Sequence, residues 1–411
     1  MPSHTRSLLA SITVALFLST PVVAQVDNNW HRIKLDERFR SEGVAAADFN
    51  KDGRMDVVAG DVWYVAPEAS SDGYQNGKGW KIKEIRKPGE FVAGKGYSQS
   101  FMNVAQDIDG DGWTDAIVIG FPGAPFHWYR NPGADSDQHW KEHVIWDSIC
   151  NESPEFEDLN GDGKPEMIFG SQPQAKLGFT PLPSKDAATK KWNFVEVSEK
   201  GPPQANGTFK YYHGLGVVDV NNDGRKDIMI PHGWWEGPAK NEKGTWKWHA
   251  APLIAPGEKA PAKAANLYTI DLDLDGDMDV IGSSAHAFGI WWFENTGDNA
   301  KFKSHLIDRS YSQTHAMEFV DMNADGEKDM VTGKRFFAHN GNDPGGNDKV
   351  VMYWYEIKRT KGSAPKFVAH EIAAGRGTGI GTQFQVIDMN ADKKPDIVLS
   401  NKKGVNVLLQ K

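Results

Sequence analysis

Seven times along the chain a short apolar run leads into an acidic turn and a second short apolar run leaves it. The entering runs include VAAAD, GVVD and MEFVD, and the leaving runs DVVAG, DAIVIG, DIMIP, DVIGS, DMVTG and DIVLS. Runs this short, rich in Val, Ile and Met and bounded by turn residues, predict strands. Paired aromatics mark a third strand in most copies: Trp63-Tyr64, Trp128-Tyr129, Trp234-Trp235, Trp291-Trp292 and Trp354-Tyr355. A fourth run, often with an aromatic and a histidine, follows as WKIKEI, HWKEHVI, KWNFVEV, WKWHAAPLI, FKSHLI and FVAHEI. The last copy stops after its third strand, VNVLLQ, and a run of the fourth type, WHRIKL from Trp30, stands at the other end of the chain. A ring of four-stranded units accounts for this permutation. The predicted fold is all-β, a seven-bladed propeller in which an N-terminal strand completes the last blade and so removes a free sheet edge. A single propeller over residues 25–411 is expected.

The turns share one layout, with oxygen-bearing side chains at positions 1, 3, 5 and 9 and glycine at 6 in six of the seven. They comprise Asp48, Asn50, Asp52 and Asp56; Asp107, Asp109, Asp111 and Asp115; Asp158, Asn160, Asp162 and Glu166; Asp219, Asn221, Asp223 and Asp227; Asp271, Asp273, Asp275 and Asp279; Asp321, Asn323, Asp325 and Asp329. The seventh, Asp388 to Asp396, carries Lys393 in place of glycine. A hard cation takes six to eight oxygens, which such a turn supplies from alternating side chains and a backbone carbonyl. Structural Ca2+ is therefore expected in the six regular turns, with Asx-turns closed on their own backbone as the simpler alternative.

Composition narrows the field. The chain has 411 residues, 46 basic and 55 acidic side chains, and a formal net charge of −9, which disfavours wrapping a nucleic-acid backbone. Its single cysteine, Cys150, excludes an internal disulfide framework. Residues 1–24 read as a secretory signal: Arg6, the apolar stretch Leu8 to Leu18, and Val22-Val23-Ala24 before Gln25. A secreted or periplasmic protein with no membrane span in its mature part is expected. GxSxG, P-loop and HExxH patterns are absent. GRGTGIGTQ before the seventh copy reads as a flexible loop at the rim.

The pattern D-x-[DN]-x-D-G-x-x-D followed by an apolar strand resembles the FG-GAP/VCBS repeat family, over residues 30–411. The resemblance implies a calcium-stabilised propeller like those of integrin α-subunits and many secreted bacterial proteins. It implies no single function, since relatives include adhesion modules, and related propellers carry polysaccharide lyase and sugar dehydratase activities.

Candidate chemistry lies where the repeats differ. Six residues before each turn stand Glu42, Phe101, Glu152, His213, Ala265, His315 and Thr382; thirteen residues after its start stand Asp61, Gly120, Ser171, His232, Ser284, Lys334 and Asn401. Both sets fall at the end of the propeller opposite the turns. His213, His232, His286 and His315 with Glu42 and Asp61 are the expected ligands of one divalent transition metal (Zn2+, Mn2+ or Fe2+) at the channel mouth. His213, His315, Glu152, Lys334 and Arg335 are the expected catalytic groups, for β-elimination from a uronate or dehydration of a keto-sugar. Tyr212, Gln172, Asn103, Tyr268 and Gln383 are expected to bind the carbohydrate or polysaccharide. The rival reading is a non-catalytic module that binds a glycan or a cell-surface protein. Fourth-strand histidines His31, His143, His249, His305 and His370 recur with the repeat and are expected to be structural. Two insertions, Pro88 to Ser100 and Phe336 to Asp348, are expected at the same face, the second as a lid carrying His339.

Overall fold

The acidic turns are hairpin connections. In the fourth copy Gly216–Val218 enters and Asp227–Ile230 leaves antiparallel to it, and Gly233–Glu236 and Lys247–Ala250 complete a four-stranded antiparallel sheet. The computed structural model describes residues 24–133, 137–239, 246–297 and 301–411, and the expected export signal lies outside them apart from Ala24. Seven such sheets follow one another. Their inner strands are Ala45–Ala47, Met102–Gln106, Ile149–Glu157, Gly216–Val218, Ala264–Ile270, Met317–Val320 and Phe384–Ile387. In the seventh, Trp30–Asp36 pairs antiparallel with the C-terminal strand Gly404–Gln410 as outermost strand. This is the seven-bladed propeller with the expected closure. One strand was not foreseen: Gln25–Asp27 runs parallel to His370–Ile372 at the outer edge of blade 6. The Asp27 carboxylate accepts from the indoles of Trp30 (2.9 Å) and Trp354 (3.2 Å), joining blade 7 to blade 6.

The second strand of each blade is buried on both faces, which is why these read as continuous apolar runs. Third-strand tryptophans stack on fourth-strand histidines: Trp128 on His143, Trp234 on His249, Trp292 on His305 and Trp354 on His370, with ring centroids 3.9–4.7 Å apart. His31 instead bonds the Gln75 carbonyl. These histidines are architectural.

The ninth-position acid has one repeated task in five of the seven turns, while Glu166 bonds only within its own turn, to Leu159 N–H and the Asn160 side chain. Asp227 accepts from the backbone N–H of Val220 (2.8 Å) and of Gly237 (2.8 Å), tying the turn to the end of the third strand. Asp115, Asp279, Asp329 and Asp396 make the same pair of bonds. Asp56 holds Ala66 N–H and the Trp63 indole. The first aspartate of each turn accepts from the N–H at position 6, as Asp48 does from Gly53 at 2.8 Å. Lys393 takes φ 69° in the seventh turn and makes this bond too, so the loop shape survives at a local steric cost of about 1–2 kcal/mol. Positions 1, 3 and 9 converge within 4.8 Å in two turns, Asp107/Asp109/Asp115 and Asp271/Asp273/Asp279.

GRGTGIGTQ is not a flexible rim loop. Its second half is buried at the axis: Thr382 N–H donates to the Glu42 carbonyl (2.8 Å), and a Cβ on Gly381 would lie 1.9 Å from that same oxygen. Only glycine lets the closing segment pass so near blade 1.

Candidate functional site

At the end opposite the turns, three blades deliver imidazoles to one point. His213 enters ahead of the first strand of blade 4, His315 ahead of that of blade 6, and His286 sits in the turn between Asp279–Ser284 and Phe288–Asn295 of blade 5. Their nearest nitrogens lie within 4.8 Å of one another. The Nε2 atoms of His213 and His315 face each other at 3.2 Å. Glu152 Oε2 stands 3.2 Å from His315 Nε2 and 3.6 Å from His213 Nε2. Glu152 reaches this point because the first strand of blade 3 loses register with its neighbour between Cys150 and Glu155, so residues 151–154 bulge inward. Cys150 packs under this bulge; it is buried, and burial pushes its thiol up to about 11, so it is inert filling.

Burial opposes ionisation of Glu152, but the His213 and His315 imidazoles outweigh it and hold the carboxyl well below its usual range. Burial and the nearby Arg335 cation keep His315 neutral; burial and His213 lower His286 to about 4. The result at neutral pH is a carboxylate beside the neutral imidazoles of His315 and His286, with His213 completing the donor set of a divalent transition metal.

The insertion after blade 6's second strand supplies a further pair. His339 Nδ1 bonds Asp343 Oδ1 at 2.9 Å, and Asp343 Oδ2 lies 3.3 Å from His286 Nδ1. The His339 ring stacks on His286 at 4.3 Å. Gln313 anchors the carboxylate by donating to Oδ2 (3.0 Å). The two insertions meet: His339 N–H donates to the Tyr97 hydroxyl (2.8 Å), and Gly96 N–H to Asn340 Oδ1 (3.2 Å). Side-chain exposure rises from 0% at His315 through 20% at His286 to 46% at His339, which marks the open side.

The remaining expected residues are placed elsewhere or in other roles. Arg335, 1% exposed, is sealed between Glu152 (3.2 Å) and Glu42 (3.3 Å), so its guanidinium cannot meet a substrate. Glu42 thus serves Arg335 and is no ligand. Lys334 is fully buried, with its ammonium on Gln313 Oε1 (2.6 Å) and Ser312 Oγ (3.3 Å). Asp61 holds Arg86 and the N–H of Gly89, away from the histidines. His232 points outward: its Nδ1 bonds the Tyr212 hydroxyl (2.8 Å), and it lines a cleft of about 720 Å³ together with Trp235, Trp246 and Trp248. Gln172 donates to the Thr208 carbonyl. Asn103, Tyr268 and Gln383 line the axial channel, a cavity of about 520 Å³ that the hub histidines do not line.

Sequence reasoning missed Asp343 and Gln313, and took His339 only as part of a lid. The one available signal was the length of the insertion. No periodicity aligns it with another copy.

Two stretches, residues 107–169 and 271–332, match the family described as FG-GAP-like repeat. No curated protein matches the chain by sequence. Among solved structures, BBS1N in complex with ARL6DN is similar at 9% identity, over 95% of this chain and 98% of that one, with a TM-score of 0.50; this likeness concerns the fold. An Agrocybe aegerita lectin described as recognising non-reducing terminal N-acetylglucosamine shares 17% identity over 79% of each chain, with a TM-score of 0.45. The V. cholerae biofilm matrix protein Bap1 shares 14% identity over 77% of this chain and 41% of that one, with a TM-score of 0.32. No helix among the described residues is long and apolar enough to cross a membrane.

Proposed function

The chain is a seven-bladed propeller of FG-GAP-like repeats, and on that premise we propose that it is an exported, calcium-stabilised enzyme acting on carbohydrate at its hub. The observation that carries this reading is the meeting of His213 Nε2, His315 Nε2 and Glu152 Oε2 within 3.6 Å, from three different blades. Inward-facing ring nitrogens with no repeat-imposed purpose are suited to holding a divalent metal, with His286 as third imidazole. Asp343, with Oδ2 3.3 Å from His286 Nδ1, is the outer carboxylate placed to orient that ring once the metal is held.

When bound, the metal would polarise a substrate carbonyl or carboxylate oxygen. The chain's own residues do the rest. His339, oriented by Asp343 through Nδ1, keeps Nε2 for the proton α to the carbonyl. The C–H electron pair becomes the new C=C bond as the β C–O bond breaks, and water protonates the departing oxygen. This is elimination from a uronate or dehydration of a keto-sugar.

Metal analysis of protein freed of calcium tests the centre. One equivalent of a transition metal is expected in the parent, with loss of at least about 100-fold in affinity in His213→Ala and about 10–100-fold in Asp343→Asn. A parent that holds only calcium defeats the reading. A second reading, glycan binding without catalysis, draws on the tryptophan cleft around His232, where Trp248 is 40% exposed. Unsaturated uronates or enones in parent digests, absent with His339→Ala, decide between the two.

A further inference from the structure

A continuous line of aromatic rings leaves the hub along one side. Tyr97, under the Arg335 guanidinium and bonded to the His339 amide, is 5.7 Å from Phe121; Phe121 is 5.8 Å from Tyr211; and Tyr211 is 5.8 Å from Phe209. The outer rings are open, Tyr211 at 39% and Phe209 at 38% exposure. Tyr211 lies two residues before His213, so the line and the histidine centre are carried on one segment. Large apolar side chains exposed in a row mark a binding surface more often than isolated ones do.

Lys210 gives the line its chemistry. Its ammonium sits 5.5 Å over Phe121 and 5.3 Å over Tyr211. Among the described residues no carboxylate lies within ion-pair distance of it, in a chain with a formal net charge of −9. A cation held on two ring faces and left without an anion is set to receive one. Ring faces stack on the CH surfaces of a pyranose, while the ammonium takes a charged substituent.

We propose that Phe209, Tyr211 and Phe121 with Lys210 form a binding track for an anionic polysaccharide, whose carboxylate or sulfate meets Lys210 as the chain runs toward the hub. This rests on the carbohydrate reading above and narrows it to acidic sugars. A neutral glycan would have no use for the unpaired ammonium.

Binding of polygalacturonate, dextran sulfate and neutral dextran to the full protein tests the track, with metal content measured on every variant. The parent is expected to bind at least one polyanion and to ignore dextran. Tyr211→Ala and Phe209→Ala should each weaken that binding about tenfold, and Lys210→Met should remove the advantage of the polyanion over dextran. Binding of polygalacturonate alone assigns the anion as carboxylate; of dextran sulfate alone, as sulfate. Equal affinity for dextran, no binding of any of the three, or unchanged affinity in all three variants overturns the proposal. If the variants lose polyanion binding in a protein that never holds a transition metal, the track stands and the hub reading falls. If the metal is present and the track variants bind as the parent does, the reverse holds.

Discussion

The two ends of the propeller are made by the same strands under opposite rules. At the turn end the chain repeats itself: in every copy the ninth-position acid is spent locally, as Asp227 is on Val220 N–H seven residues away and Gly237 N–H ten residues away. At the hub the repeat is broken: the residue ahead of the first strand is Glu42, Phe101, Glu152, His213, Ala265, His315 or Thr382 from blade to blade. The carboxylates there meet partners far off in sequence, Glu152 and Glu42 reaching Arg335 across 183 and 293 residues. Repeated residues answer a need that every blade has, namely satisfied backbone and a fixed turn. Residues that depart from the repeat answer a need of the whole ring. Arg335 is the clearest case, because one guanidinium joins blades 1, 3 and 6 at the axis.

The strongest test of that contrast removes the guanidinium. Arg335→Leu leaves two buried carboxylates facing each other without a cation, which should cost about 3–5 kcal/mol by denaturant unfolding. The double variant with Glu42→Gln should recover part of the loss. An Arg335→Leu protein as stable as the parent would mean that the hub ions are not a structural axle and that Arg335 is free for other work. The matching test at the turn end is Asp227→Ala. It strands two backbone N–H groups in one blade and should cost about 2–3 kcal/mol. It should leave the transition-metal content of the hub untouched. A loss of hub metal in Asp227→Ala would join two ends that the contrast separates.

The architecture was legible because it is periodic. Seven turns at intervals of 50 to 67 residues, with a displaced fourth-type strand at Trp30, leave one closed arrangement. Half of the hub was legible by the converse rule. In the column preceding the first strands, the four charged or imidazole side chains, Glu42, Glu152, His213 and His315, all reach the axis. The column following the second strands behaves differently, because those positions lead outward into the middle of each blade. There Asp61 and His232 turn away from the axis to Arg86 and Tyr212, and the side chains that return are neighbours of the column, Arg335 next to Lys334 and His286 two residues after Ser284. Gln25–Asp27 was too short a run to announce an extra strand. Asp343 lies in an insertion that no other blade shares, so nothing in the sequence places it beside His286.

Between the two ends lies the channel, and it carries the smallest and most specific prediction. Glu155 and Glu318 line it together with Glu157. Burial, with Glu157 nearby and despite Lys328, pushes Glu318 up to about 8; burial and Glu157 likewise raise Glu155. A carboxyl with a folded pKa above its ordinary value near 4.5 binds more protons in the native state than in the unfolded chain. Stability from Glu318 is therefore full below about pH 4.5 and falls as pH rises toward about 8. Glu318→Gln cannot ionise and should lose less stability across this window, by a difference of about 2 °C in Tm between pH 5 and pH 8. The slope should diminish without vanishing, because Glu155 remains and burial also pushes the ninth-position Asp56, Asp115, Asp227, Asp279 and Asp396 up to about 7. Parallel Tm curves for parent and variant would place Glu318 in open water, and the channel would then be a solvent-filled extension of the turn end. A flattened curve would make it a third region, dry enough to hold a protonated acid and distinct from both ends.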